Sequence, residues 1–593
     1  MNWVLKPKPF EKFIKQFPEY QPLVLQLLYN RGLKTQKAID EFFNPDYGED
    51  LHDPFLMLGM KEAVKRISKA IKKQEKIAIF GDYDADGVCG AVILKTILEA
   101  LGAKLNGVFI PNRMTEGYGL NNEAVKKADS QGTDLVITID CGITDFGEIK
   151  LANSLGMEVI IVDHHRVGEK LPPAKIIIDP WQKKDGYPFK ELAGAGVAFK
   201  LVQALMLQSD EIKPGWEKWL LDLVAIATVA DCVPLLGENR TLVRYGLIVL
   251  AQTQRIGLQE LMKIARLNPI FETDTMTTNL DTYSLGFILA PRLNAAGRMK
   301  HASLAFELLL AKTVEEAKCL AEKINEQNQQ RQKLTDEIVT EIEARIKSYI
   351  GDKSRPVIIE IDKKWSPGVI GLVAGKIADR YHRPTIIFSA RGGSASGGKE
   401  DEEIIRGSAR SIPTFNIIEA ISQCAELLKE YGGHPGAAGL SLENKKLPAF
   451  SEKINRIARE KLKEEDLVPF IEIDSEINLE NIDWELFDKL SQFEPCGGDD
   501  NPRPTFLIKD LEIVNLRLVG NGFQHLKLEL KNENPPAGGE NKVFKAIGFR
   551  LAKNGGQNLK VGDKVDIVFE LIIDEWNGSR ELQFKIIDIR KSL

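Results

Sequence analysis

The sequence predicts an α/β protein: a parallel-sheet domain, a long helix leading to a smaller α/β domain, and then an all-β barrel. Three observations carry this. Between about residues 75 and 235, short wholly apolar runs alternate with amphipathic segments, the pattern of βαβ units around a mostly parallel sheet. From Thr313 to Ile350 a charged, Gln-rich stretch without Gly or Pro carries apolar residues at helical spacing. From about residue 467 onward, strand-like runs are separated by Gly, Asn and Asp turns.

At 593 residues the chain exceeds what one hydrophobic core organises. Residues 1–50 read as a helical lead-in, 51–312 as the parallel-sheet domain, 313–350 as the connecting helix, 351–466 as the smaller α/β domain and 467–593 as the barrel. In the first α/β domain Ile77–Phe80, Leu135–Ile139 and Val159–Val162 are buried-strand runs, and Val88–Leu101 is an amphipathic helix. Trp216–Ala230 has helical spacing, so Asp231 caps a helix rather than a strand. At 1.5 Å per residue the connecting helix would reach about 50 Å; two helices with a hidden turn are the alternative. In the second α/β domain Pro356–Ile361 and Pro384–Phe388 are strands, Val369–Tyr381 is a helix, and Gly392–Gly398 and Gly432–Gly436 are loops. The five β runs, 508–519, 523–531, 542–550, 564–573 and 580–590, fit an OB barrel, a common platform for single-stranded nucleic acid. A generic β-barrel interaction module is the other reading.

With 43% apolar and 28% charged residues the composition is that of an average globular protein. No apolar stretch reaches the roughly 18 residues of a membrane span. Met1–Glu19 lacks the apolar core of a secretion signal, so no membrane association and a cytoplasmic location are expected. The six cysteines form no CxxC pair, which argues against zinc knuckles and redox motifs. Cys141 and Cys232 each follow an acid of interest and read as small buried neighbours. A net charge of −6 argues against indiscriminate coating of nucleic acid but allows a local basic groove.

The chemistry lies at the ends of the apolar runs. These are Asp82-Tyr83-Asp84-Ala85-Asp86-Gly87, Asp140-Cys141-Gly142, Asp163-His164-His165 and, after a helix, Asp231. In open α/β sheets the carboxyl ends of neighbouring strands converge on one crevice. Carboxylates gathered there repel one another unless a cation sits between them. Oxygen donors with one or two imidazoles suit Mn²⁺ or Mg²⁺ better than zinc. Asp82, Asp84 and Asp86 alternate, which in an extended segment puts them on one side, and Gly87 then permits a tight turn into the helix opening at Val88. A solvated acidic turn is the alternative for this stretch taken alone. Successive residues cannot both point the same way, so one of His164 and His165 is a direct ligand and the other stands beside the phosphate. The site is that of a metal-dependent hydrolase of phosphate esters.

These four stretches resemble the motifs of the DHH phosphoesterases. Later stretches are similar to the branch of bacterial exonucleases for single-stranded DNA: Arg292-Leu293-Asn294-Ala295-Ala296-Gly297-Arg298, Gly407-Ser408-Ala409-Arg410-Ser411 and Gly432-Gly433-His434-Pro435-Gly436-Ala437-Ala438-Gly439. The resemblance covers roughly residues 50–593. It implies a DHH domain, a DHH-associated substrate-gripping domain and an OB domain. It further implies Asp84, Asp86, Asp140, His164 and Asp231 as ligands of Mn²⁺ or Mg²⁺, with Asp82 and His165 beside them in the catalytic set. Two departures stand out. The family often has His after Trp where this chain reads Trp365-Ser366-Pro367-Gly368, and the barrel entry Pro495–Asn501 is longer than the usual form.

Metal ions held by clustered carboxylates can activate a water for in-line attack on phosphorus and neutralise the leaving oxygen. Arg298, Arg410, Gly433 and His434 sit by motif where they would contact substrate. A structural salt bridge is the alternative for the two arginines, and a loop-stabilising hydrogen bond for His434. Trp576 and Phe523 are stacking candidates, with core packing the favoured role for both. The resemblance implies 5′-to-3′ digestion of single-stranded DNA to 5′-mononucleotides in DNA repair and recombination. It also implies a single-stranded-DNA-binding protein and a recombination helicase as partners, and a monomer. Two other readings stay open: a phosphodiesterase for short oligoribonucleotides or cyclic dinucleotides, against which the C-terminal barrel counts, and a binding scaffold without catalysis, against which the intact acids count.

Overall fold

The computed structural model describes residues 1–113, 116–299, 302–352, 354–390, 404–532, 542–552, 556, 558–575 and 580–592. Two compact units divide the chain. One is His52–Val233 with Leu242–Pro469; the other is Met1–Leu51 with Pro234–Thr241 and Phe470–Leu593.

The first unit opens with a five-stranded parallel sheet: β1 (Lys76–Gly81), β2 (Lys104–Phe109), β3 (Leu135–Ile139), β4 (Glu158–Val162) and β5 (Ile176–Ile178), in the order β2-β1-β3-β4-β5. β3 is buried along its whole length and β4 nearly so, as expected of strands covered on both faces. Helices α1 (Ala85–Ala100), α2 (Gly194–Met206) and α3 (Leu221–Ala230) pack against one another, α1 touching both partners. Asp231 is the C-cap of α3, the helix-end position its sequence context predicts. After α4 (Ala290–Met299), the predicted connecting segment forms one unbroken 33-residue helix, α5 (Val314–Ile346). Thr313 starts it by accepting a hydrogen bond from the Glu316 amide.

The second lobe of this unit has β6 (Ile358–Asp362), α6 (Pro367–Tyr381), β7 (Thr385–Ser389), β8 (Ile404–Arg410), β9 (Leu428–His434) and β10 (Ala437–Glu443), in the sheet order β9-β10-β8-β7-β6. β6 and β7 are parallel and the remaining pairs antiparallel. Its core is built on Phe388, Phe415 and Phe450 with Ile386 and Leu442. The Gly392–Gly398 loop lies outside the described residues.

In the second unit β11 (Phe506–Val519), β12 (His525–Asn532), β13 (Val543–Gly548), β14 (Lys564–Asp574) and β15 (Glu581–Lys591) run in the order β11-β12-β13-β15-β14. β14 pairs back with β11 and closes the barrel, and β13 lies parallel to β15, the arrangement of an OB fold. The interior holds Phe506, Phe569 and Phe584, the last two with ring centroids 4.4 Å apart. The N-terminal segment joins this unit: strand Asn2–Leu5 pairs in parallel with Phe470–Ile473, and helices Pro22–Asn30 and Gln36–Phe43 share the barrel's apolar core. The buried Arg240 guanidinium donates to the carbonyls of Phe42, Gln492, Phe493, Glu494 and Pro495, so it holds three separate stretches of chain together. The long barrel entry closes on itself, Gly497 bridging to Asn501, whose buried amide donates to the Phe493 and Pro495 carbonyls.

Among the described residues no helix is long and apolar enough to cross a membrane. Phe523 is 68% exposed at a turn rather than packed in the core, and Trp576 lies outside the described residues. Cys141 is buried as expected; Cys232 is exposed, because Asp231 ends its helix and the chain turns outward there.

Candidate metal centre

Each acid reaches the crevice from the carboxyl end of an element. Asp82 follows β1, Asp140 follows β3, Asp163 follows β4, and Asp231 caps α3. The acids of the first motif are not held by strand alternation as expected. Asp84 is the N-cap of α1 and accepts hydrogen bonds from the Asp86 and Gly87 amides (2.9 and 3.2 Å), and Asp86 lies in the first helical turn. Short acidic residues are favoured at helix starts for this reason, and the helix rather than the pleat sets their directions. Gly87 is likewise needed for space, not for a turn. It is helical, and a Cβ there would stand 2.6 Å from the Asp82 backbone.

The Asp86 carboxylate accepts two hydrogen bonds of 2.7 Å, from the Gly194 and Ala195 amides at the start of α2. His164 Nε2 lies 3.1 Å from Asp140 Oδ1, 3.7 Å from Asp231 Oδ2 and 3.8 Å from Asp86 Oδ2. Three donor sets each have ligand atoms within 4.8 Å of one another: Asp82, Asp84 and Asp140; Asp86, His164 and Asp231; and Asp140, His164 and His165. Asp140, in a left-handed conformation at φ 60°, belongs to two of them. The two imidazoles do not diverge as expected of consecutive residues: their ring centroids lie 4.5 Å apart and both face Asp140 Oδ1, His164 Nε2 at 3.1 Å and His165 Nδ1 at 3.9 Å. His165 Nδ1 meets Asp163 Oδ1 at 2.8 Å and the Tyr118 hydroxyl at 3.2 Å.

Burial together with mutual repulsion raises the carboxyls of Asp82, Asp86 and Asp140 above the usual range, and Asp231 reaches about 7. Asp163 goes the other way. Burial would raise it, but the His165 hydrogen bond and charge, with the Ile143 amide, hold it low. In return, and against its own burial, His165 is raised to about 9. The buried Asp82 Oδ1 and His164 Nε2 have no hydrogen-bond partner. Crowded acids, orphaned oxygen and nitrogen donors and a predominance of carboxylates over imidazoles fit hard divalent ions.

Arg298, Arg410 and His434 lie outside this cluster. The Arg298 guanidinium donates to the Gly368 carbonyl at the start of α6 (3.3 Å), and that of Arg410 to the Ala409 carbonyl (2.8 Å). Neither pairs with a carboxylate among the described residues. Burial and the repulsion of Arg113 and Arg331 lower Arg298 to about 9, and burial with Arg113 lowers Arg410. His434 Nδ1 accepts from the Gly436 amide (3.3 Å), the loop bond that was the alternative for it, and burial beside Arg410 lowers its pKa. Gly433, at φ 147°, is required by close approach, since a Cβ would stand 2.3 Å from the Ala437 carbonyl.

Sequence reasoning placed Asp163 in the crevice without a role of its own and gave no site role to Tyr118, Arg113, Asn294 or Asp179. Asn294 Oδ1 accepts from the Ala85 amide beside Asp84, and Arg113 stands over the Tyr83 ring. Asp179 had a legible signal: it ends Ile176-Ile177-Ile178, the same apolar-run-then-acid pattern as the others.

Acids and a His pair at the ends of adjacent parallel strands, with a second α/β lobe carrying glycine-rich strands, define a DHH-type phosphoesterase fold. Family models agree: "DHH family, N-terminal domain" matches residues 76–228, "DHHA1 domain" 354–460 and "RecJ OB domain" 473–588. The single-stranded-DNA-specific exonuclease RecJ of Bacillus subtilis is 38% identical over 99% of this chain and 70% of its own length, and that of Escherichia coli K12 is 31% identical over 96% of each. The crystal structure of RecJ from Thermus thermophilus in complex with Mn²⁺ superposes with a TM-score of 0.80 at 28% identity, covering 100% of this chain and 80% of that one; the Mg²⁺ complex gives 0.75. The chain belongs to the RecJ family.

Proposed function

We propose that this protein is a single-stranded-DNA-specific exonuclease that works 5′ to 3′ and releases 5′-mononucleotides, with Mn²⁺ or Mg²⁺ as cofactor. The observation that carries the reading is the acid cluster centred on Asp140 and His164, each of which belongs to two donor sets, in a chain whose relatives along its length are named single-stranded-DNA-specific exonucleases. Asp82, Asp84 and Asp140 would hold one ion, and Asp86, His164 and Asp231 a second. Bound there, such ions would supply an activated water and charge neutralisation at the leaving oxygen. The rest falls to the protein's own groups. Asp163 fixes the His165 ring and keeps it protonated near neutrality, so that it can donate to a phosphate oxygen. The α2 amides hold Asp86 in place. Arg298 and Arg410, cations without carboxylate partners among the described residues, take the phosphates of the strand, with His434 beside Arg410. The OB barrel supports the single strand by stacking and backbone charge.

A cytoplasmic monomer acting in repair and recombination, with a single-stranded-DNA-binding protein and a helicase as partners, accords with this reading. The test is hydrolysis of a single strand labelled at either end, in Mn²⁺ with and without chelator. Early release of labelled mononucleotide from the 5′ end, abolished by chelator, is expected. An untouched strand overturns the reading.

A further inference from the structure

Between the hairpin at Phe271–Thr278 and α4 lies a π-helix, Ser284–Leu289, a rare form that concentrates at functional sites. It packs on α3, where a Cβ at Gly286 would stand 3.2 Å from the Val229 side chain, two residues before Asp231. On its outer side Tyr283 and Phe287 stack on each other, ring centroids 5.1 Å apart and planes 19° from parallel. Both are open to solvent, 57% and 71% exposed, although burial is the default for rings of this size. Apolar rings stacked in water mark a recognition surface.

The neighbouring charge says what kind. Arg292, one turn on, donates to the Ile288 carbonyl (2.6 Å) and to Asn325 (3.1 Å). Arg331 on α5 donates to Asn328 (2.7 Å) and keeps a buried Nε without a partner. Neither pairs with a carboxylate among the described residues. Besides burial, Arg292 lowers the pKa of Arg331, and Arg331 that of Arg298. Arg292 meets α5 at Asn325, one turn before the Asn328 that holds Arg331, and its other acceptor, the Ile288 carbonyl, adjoins Phe287, so the two guanidiniums lie along α5 beside the aromatic pair.

We propose that Tyr283 and Phe287 form a base-stacking platform for the single strand, with Arg292 and Arg331 taking the phosphates between that platform and the metal centre. This rests on the exonuclease reading and extends it to a second contact zone. A polyanion with exposed π-faces is the occupant that satisfies both halves of the surface, since stacking serves any base and the arginines serve its backbone.

The test is binding of full-length protein carrying Asp140→Ala, which holds a strand without cutting it. The probes are single strands with 2-aminopurine at successive positions. One position should show strong quenching by the platform. Phe287→Ala should abolish that quenching and weaken affinity for a long strand about 10-fold, while Phe287→Trp restores both. Because Phe287 is exposed, its replacement leaves the fold intact, which a melting curve checks. Unchanged quenching and affinity in Phe287→Ala overturn the proposal and leave the pair as a face for a protein partner. Failure of the exonuclease reading shows separately, as absence of hydrolysis by the unmutated protein in Mn²⁺.

Discussion

Asp179→Asn should stabilise the metal-free protein at alkaline pH and not at acid pH. Asp179 follows β5 and is fully buried; its Oδ1 accepts from the Trp181 amide (2.8 Å), and its Oδ2 has no partner. Burial, with help from Asp163 and against the Trp181 bond and the two histidines, raises its carboxyl from 3.8 to about 7. A raised acid binds its proton more tightly folded than unfolded, so stability falls as pH rises through the interval between the two values. The slope is about 1.4 kcal/mol per pH unit, giving a penalty of about 4 kcal/mol above pH 7 that is absent below pH 4. Asparagine removes the penalty but places an unpartnered amide where Oδ2 was, at about 1–3 kcal/mol. The variant should thus gain about 1–3 kcal/mol over the parent at pH 8 and lose that advantage by about pH 5. Urea melts in chelator across this range measure it. A difference between variant and parent that is constant with pH would refute the reasoning. The variant should also bind Mn²⁺ more weakly, because a negative charge near His164 is lost.

Asp140→Ala, which removes the residue common to two donor sets, should abolish hydrolysis while largely sparing strand affinity; retained turnover would remove the cluster from the mechanism. Protons compete with ions for Asp86, Asp140 and Asp231, so Mn²⁺ should raise the melting temperature more at pH 8 than at pH 6, and equal shifts at both would contradict the raised carboxyls. Gly87→Ala should push Asp82 away from the site, lowering activity at least tenfold and stability by about 1–3 kcal/mol; a variant with normal activity would show that the 2.6 Å approach relaxes freely. Arg240→Ala should cost about 3–5 kcal/mol by taking its donor from five carbonyls, of which only those of Phe493 and Pro495 keep the Asn501 amide, with the loss read in the melting of the barrel unit; a near-wild-type melt would contradict it.

The parallel strands, the long helix and the five barrel strands were legible because burial on two faces, helical spacing and turn residues leave distinct marks. The acids at strand ends were legible for the same reason. What escaped depends on contacts between distant stretches. Nothing local says that Asp86 is held by the start of α2, 108 residues on, or that Asp163 serves His165 rather than an ion. The alternation of Asp82, Asp84 and Asp86 misled because a period of two is also what a helix cap and its first turn can produce. Arg240 reads as one more charge on an amphipathic helix; its five carbonyl partners belong to stretches about 200 and 250 residues away. Phe523 reads as a core residue by type alone, and a turn places it outside.

The barrel unit is assembled from both ends of the chain and an eight-residue stretch in the middle, Pro234–Thr241. This sets an order of events on the ribosome. The parallel sheet and its second lobe can close as soon as Pro469 has emerged. Residues 1–51, meanwhile, are made well before the barrel strands that cover Leu25, Leu28, Ile39 and Phe42. Those helices therefore wait uncovered until the barrel strands emerge. A nascent chain stalled before residue 470 should be cut by protease within its first 51 residues while residues 52–233 resist.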